Sequence, residues 1–457
     1  MKQRLNTEFW LRRRGLRAGA ASALFRPRRC CPRHGAVGDG RFGGLHAGGN
    51  AALAAINIAY PIQILLNACA LGLGIGGAVM MTFYRGCQNE VKSRQSLQLT
   101  VLLLLITGVL LSAILYISAP VLVRMLGAQG ETYELAMQYI AAILAGGLLP
   151  VLGNGLNPLI RNNGKTIAAT VCMSSGLIVN IILDYLFVFR MGMGLRGAAL
   201  ATLTAQGTVT VTALLCLGHK QFWGGSRIKD LIDLSLVKQI IQVGFSPFGQ
   251  TLVPCIVIIL TNYICLQYGG DDAVTVYSVI SYVLASAQLL LQGIGDGTQP
   301  LLSFYHGGQG HSELRWLYQK AFFLSLTVAV FLCVSCFLFA PALTALFGIS
   351  SDLFMLTETA LLITALSFPF IAITRLTSAF FYATGKNRNA TFLVYLEPCC
   401  LLPLFLISFS SSFGLSGIWA AYPAAQIVLC VCALVLKSPN LETVLEKTAT
   451  ETKIHMN

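Results

Sequence analysis

Asp184 stands in an apolar run, Leu177-Ile178-Val179-Asn180-Ile181-Ile182-Leu183-Asp184-Tyr185-Leu186-Phe187, with no cation within a helical turn on its own helix. A carboxylate in such a setting is costly unless it faces water and holds a proton, an ion or a partner, so it marks a functional site. Asn180 lies four residues earlier on the same helical face, so both side chains are able to converge on one proton or one monovalent cation. A structural hydrogen bond to a neighbouring helix is the competing role. The chemistry on offer is reversible ion binding, not bond making.

Glu397 and Arg375 form a second candidate site. Counted from the Gly385 turn, Arg375 is ten residues up one helix and Glu397 twelve up the next. Those depths are about 15 and 18 Å at 1.5 Å per residue, so antiparallel neighbours would bring them together. Two roles compete: a static buried salt bridge, and a carboxylate whose proton or cation is coupled to substrate, with Arg375 as internal competitor. Pro398 removes one ladder hydrogen bond and is expected to bend the helix there. Asp296, in Gly293-Ile294-Gly295-Asp296-Gly297, lies nearer the end of its helix, where solvation from the cavity mouth is the expected reason for its charge. No His/Asp/Glu cluster of metal or acid–base spacing accompanies these residues, which argues against an enzyme.

The elements that position these groups are membrane helices. The chain is 55% hydrophobic and 11% charged, with a mean hydropathy of +0.71, outside the soluble globular range. Runs long enough to cross a bilayer of about 30 Å are readable near 51–83, 98–123, 135–159, 167–189, 197–218, 239–267, 273–304, 321–347, 353–384, 390–412 and 415–436. The expected fold is an all-α polytopic membrane protein with these eleven spans.

The chain also repeats itself at an offset of 221. Phe83-Tyr84-Arg85-Gly86 returns as Phe304-Tyr305-His306-Gly307, the glycines 72, 74 and 76 return as 293, 295 and 297, and Gly164-Lys165 returns as Gly385-Lys386. Two parallel six-helix repeats are the architecture of a secondary transporter, which moves one half against the other around a site between them. The charges are not duplicated: Asp184 maps to Phe405, Glu397 to Gly176, Asp296 to Ile75 and Arg375 to Asn154. Coupling chemistry is therefore expected to be divided unequally. The predicted organisation is an unassigned basic tail (1–48), an N-lobe (49–220), an inter-lobe loop (221–238), a C-lobe (239–437) and a C-terminal tail (438–457).

The net charge of +13 does not signal nucleic acid. Eleven of the 31 Lys and Arg lie in residues 1–49, which leaves 20 basic against 16 acidic residues in the remainder. Loops holding Arg85, Lys92, Arg94, Arg161, Lys165, Lys220, Arg227, Lys229, Lys238, Arg315, Lys320, Lys386, Arg388 and Lys437 alternate with loops holding Arg124, Arg190 and Arg196 together with Asp271, Asp272 and Asp352. The positive-inside rule puts the first set, and the C-terminus, in the cytoplasm. The fourteen Cys mostly act as small hydrophobes within the spans, the mid-helix Cys333–Cys336 pair included.

Subtracting 221 from span 239–267 points to about 18–46, which is Arg-rich and cannot cross a bilayer. A reading-frame error upstream of about residue 48 is the leading explanation, ahead of a true truncation with a cationic tail and an organellar presequence. On that reading residues 1–47 are irregular, and the protein folds poorly and transports weakly.

From Gly48 onward the chain resembles the multidrug and toxic compound extrusion (MATE) family. The resemblance is carried by Ala51 to Pro61, by Asn157-Pro158 to Gly164-Lys165, and by Asn180 to Asp184 followed by Gly194 to Thr202. Gln299-Pro300 to Tyr305 and Gly414 to Trp419 fit the bacterial DinF/MepA-like branch. It implies two six-helix lobes that exchange Na⁺ or H⁺ for small cationic or amphipathic drugs, in a bacterial plasma membrane, as a monomer with no further cofactor. It also implies that Thr202 is the helix 6 hydroxyl, next to a possible Na⁺ at Asp184. A flippase for lipid-linked saccharides is the nearest rival and would need several deep Arg and Lys, where the sequence offers Arg375 alone.

Overall fold

The computed structural model describes residues 49–218 and 233–454, with side chains over 55–218 and 233–437. All the elements described are helical. In chain order they are α1 (Gly49–Gly86), α2 (Glu90–Met125), α3 (Gly130–Ala145), α4 (Leu148–Asn162), α5 (Thr166–Asp184) and α6 (Gly194–Leu217). Then follow Leu234–Gly307, α9 (His311–Leu346), α10 (Ser351–Ala365), α11 (Phe368–Ala383), α12 (Asn387–Leu396), α13 (Leu402–Phe413) and α14 (Leu415–Ile454). The 74 residues of Leu234–Gly307 would measure about 110 Å as one rod, several times a bilayer core. Gly270, at φ 60° and ψ −153°, breaks them into α7 (234–269) and α8 (271–307).

Among the described residues eight helices are long and apolar enough to span, or ten with the bent pairs α3–α4 (56°) and α10–α11 (40°) each counted as one span. The break at Gly270 divides the longest of them in two. Polar caps fix where helices begin: Asn89 Oδ1 accepts from the Lys92 amide at 3.0 Å, and Asp233 Oδ1 from the Ser235 amide at 2.8 Å.

The repeat is legible in the backbone. Gln88 and Gln309 both adopt a left-handed conformation (φ 59° and 55°), as do Gly127 with Gly348 and Gly164 with Gly385. Each pair is separated by 221. One apolar core is drawn entirely from residues 55–217 and another from 253–422. A third mixes Ile75, Val79, Met80 and Leu99 with residues from 236 to 433. The last forms where α1 lies along α7 and α8, and small residues let the backbones touch there. A methyl group on Gly86 would collide with the Phe304 carbonyl, and one on Gly307 with the Phe83 carbonyl. The expectations for residues 1–47 lie outside the described residues.

Candidate ion and substrate site

Asp184 is the last residue of α5 and opens into a π-helical turn, Tyr185–Arg190, where the Met191 amide reaches the Leu186 carbonyl at 2.9 Å. Glu397 begins the second π-helical turn, Glu397–Leu401. Pro398 has no amide proton to give, and the Leu402 amide bonds the Glu397 carbonyl five residues back. The bend expected from Pro398 is thus a widened turn. The two π-turns do not correspond under the 221 offset, so the repeat is broken where its carboxylates sit.

Asp184 is half-buried and faces the Tyr139 hydroxyl of α3, with Thr202 of α6 beside it. Gln63 of α1 donates to that hydroxyl at 3.1 Å. The Thr202 hydroxyl donates to the Ala198 carbonyl at 3.0 Å, which leaves its lone pairs available. Asn180, one turn before Asp184, has a buried amide nitrogen with no partner. Tyr139 of α3, bonded by Gln63 of α1 and with Thr202 of α6 beside it, thus forms a neutral polar cluster near Asp184 and Asn180 of α5. Among the described residues no three His, Cys, Asp or Glu side chains gather as a multivalent-metal site.

Glu397 is buried, and its Oε1 has no hydrogen-bond partner. Arg375, Gln426 and Tyr422 surround it, and Gln288 donates to the Tyr422 hydroxyl at 2.7 Å. The approach of Arg375 expected from helix depths is found at longer range. No ion pair within 4.0 Å joins the two, so the static salt bridge weighed for them is not formed.

Asp296 keeps partial solvent exposure, and Arg161 of α4 also approaches it to 3.8 Å, with side chains 17% and 22% exposed. Gln292 donates to its Oδ1 at 3.0 Å, and the buried Tyr382 hydroxyl faces the pair. Arg161 stands in the last turn of α4, beside the following loop, with its side chain turned to Asp296.

Sequence reasoning missed a buried polar hub. Thr82 donates to Asn162 Oδ1 at 2.9 Å, Asn162 donates to Gln299 Oε1 at 3.1 Å, and Ser303 donates to Thr82 Oγ1 at 2.9 Å. All four are neutral and helical, so only extension of the Phe-Tyr repeat by one residue would have flagged Thr82 and Ser303. Among the other motif positions, Asn157 donates to the Ala169 carbonyl at 2.9 Å and ties α4 to α5. Pro158 is buried within α4, Gly164 makes the following turn at φ 83°, and Pro300 lies inside α8 next to Gln299.

A sequence profile of the MatE family matches residues 42–186 and 248–398, once in each half. The chain is 22% identical over 401 residues to the multidrug export protein MepA of Staphylococcus saprophyticus, covering 84% of this chain and 85% of that protein. It is 22% identical over 384 residues to MepA of Staphylococcus haemolyticus, with 84% of each covered. Its fold matches a structure of MATE in complex with MaL6 at a TM-score of 0.83 and 23% identity, over 88% of this chain and 91% of that one. An outward-facing MATE multidrug resistance transporter matches at 0.81 and 23%, over 87% and 90%. Profile, relatives and fold agree on a family of transporters rather than enzymes: the chain belongs to the MATE family.

Proposed function

We propose that the protein is a secondary active efflux transporter that exchanges Na⁺ or H⁺ for small organic cations by rocking an N-lobe (49–220) against a C-lobe (239–437). The observation that carries this reading is the Asp184 environment. A single carboxylate, a free Asn180 amide and the Tyr139 and Thr202 hydroxyls suit a proton or one monovalent cation, and nothing there compensates the charge permanently. The name of the MepA relatives, multidrug export proteins, supports the direction of transport and the substrate class. The excess of basic loops at one end supports a cytoplasmic C-terminus in a bacterial plasma membrane. Closure of that basic end, where Gly86 packs on Phe304 and Gly307 on Phe83, supports an outward-facing reading of this state. Expressed in cells at matched levels, Asp184→Asn is expected to abolish ethidium efflux; unchanged efflux would remove Asp184 as the coupling residue.

A further inference from the structure

Arg161 and Asp296 come from opposite halves, on α4 and α8, and their 3.8 Å separation exceeds the roughly 2.8 Å of a closed charge-assisted hydrogen bond. Two buried polar atoms around them have no partner, Arg161 Nε and Gln292 Oε1, and the buried Tyr382 hydroxyl lies against Asp296. Tyr382 is fully enclosed and faces Asp296, Arg161 and Arg375 together, while Tyr422 faces Glu397 and Arg375. Four charged groups, Arg161, Asp296, Arg375 and Glu397, thus surround these two tyrosines. With all four ionised the sum is zero. When the halves part at the basic end, Arg161 leaves with α4, and the C-terminal half keeps two carboxylates and one guanidinium. A net charge of −1 in a poorly hydrated bundle is expensive, and one monovalent cation restores the balance. A divalent ion would overshoot it.

We propose that Asp296, with Tyr382 and Gln292, is a cation-binding site which Arg161 fills as an internal stand-in while the basic end is closed, and which takes one monovalent organic cation when that end opens. The inference rests on the efflux reading above and adds to it a loading site on the cytoplasmic side. Substrate and Arg161 exchange one for one, so binding and opening are the same event. Asp296 is a poor site in the closed state because it is already occupied.

The test is ethidium affinity of the purified full chain in detergent, read by fluorescence, with thermal melting to confirm folding. Arg161→Gln removes the competitor and is expected to tighten binding about tenfold, whereas Asp296→Asn removes the ligand and is expected to weaken it about tenfold. The double variant should follow Asp296→Asn. A pair that merely holds the end shut predicts that both single variants shift affinity in the same direction. That outcome, or no shift in either, overturns the proposal. Where Asp296→Asn does not fold, Arg161→Lys decides: it keeps the competing charge and should stay near wild-type affinity, so tightening equal to Arg161→Gln contradicts the proposal. A wild-type protein that neither binds nor moves ethidium defeats the efflux reading itself, and this inference with it.

Discussion

Thr82 and Ser303 occupy the same position in the two repeats, 221 residues apart, and the Ser303 hydroxyl donates to that of Thr82 at 2.9 Å. A local two-fold axis therefore passes between them. Hydroxyls suit such a place because each both donates and accepts. Reciprocal packing surrounds the axis, with Gly86 on Phe304 and Gly307 on Phe83, as in a self-complementary dimer contact. Asn162 and Gln299 extend the bonding to one side only, so the hub is symmetric at its centre and asymmetric at its edge.

Removing either hydroxyl, by Thr82→Val or Ser303→Ala, is expected to lower stability by about 1–2 kcal/mol, since a buried partner is stranded. The double variant should cost less than the sum, because the two groups share one network. Melting of the purified variants measures both; strictly additive losses would mean that the hydroxyls do not act together.

The glycine contacts give a sharper expectation. Gly307→Leu forces a side chain against the Phe83 backbone and should keep the basic end from closing, lowering dye efflux at least tenfold with membrane insertion intact. Gly293→Ala is the matched control: nothing lies within 4 Å of its added methyl, and it should keep stability or gain up to about 1 kcal/mol from helix propensity. Equal loss of efflux in both variants would contradict the gate.

Glu397 separates structure from transport. Breaking a closed buried ion pair costs about 3–5 kcal/mol, but Glu397 and Arg375 are not in contact and Glu397 Oε1 is unpaired. Glu397→Gln should therefore hold its melting temperature within a few degrees, as expected for a change below about 1 kcal/mol in a chain of this size, while transport falls. A large drop in melting temperature, rescued by adding Arg375→Gln, would restore the purely structural role.

The membrane helices and the repeat were legible because each leaves a mark along the chain, hydropathy and a fixed offset, and Asp184 stood out as a charge where lipid forbids one. The partners of these groups were not. Arg161 and Asp296 are 135 positions apart on different repeats, so nothing along the chain pairs them. Gln63 and Tyr139 bond one another near Asp184 from two other helices, and neutral mid-span residues carry no sequence signal that separates a ligand from a packing contact. Helix position alone predicts solvent at Asp296 and says nothing of Arg161 arriving from the other half.

Reconstitution into liposomes tests the antiport at Asp184 most directly. Purified protein is given ethidium inside and an imposed inward gradient of either Na⁺ or H⁺, and dye release is followed for the wild type and Asp184→Asn. One of the two gradients is expected to drive release by the wild type, with Asp184→Asn reducing it to the protein-free leak. Release that ignores both gradients, or that proceeds equally in Asp184→Asn, would contradict the account.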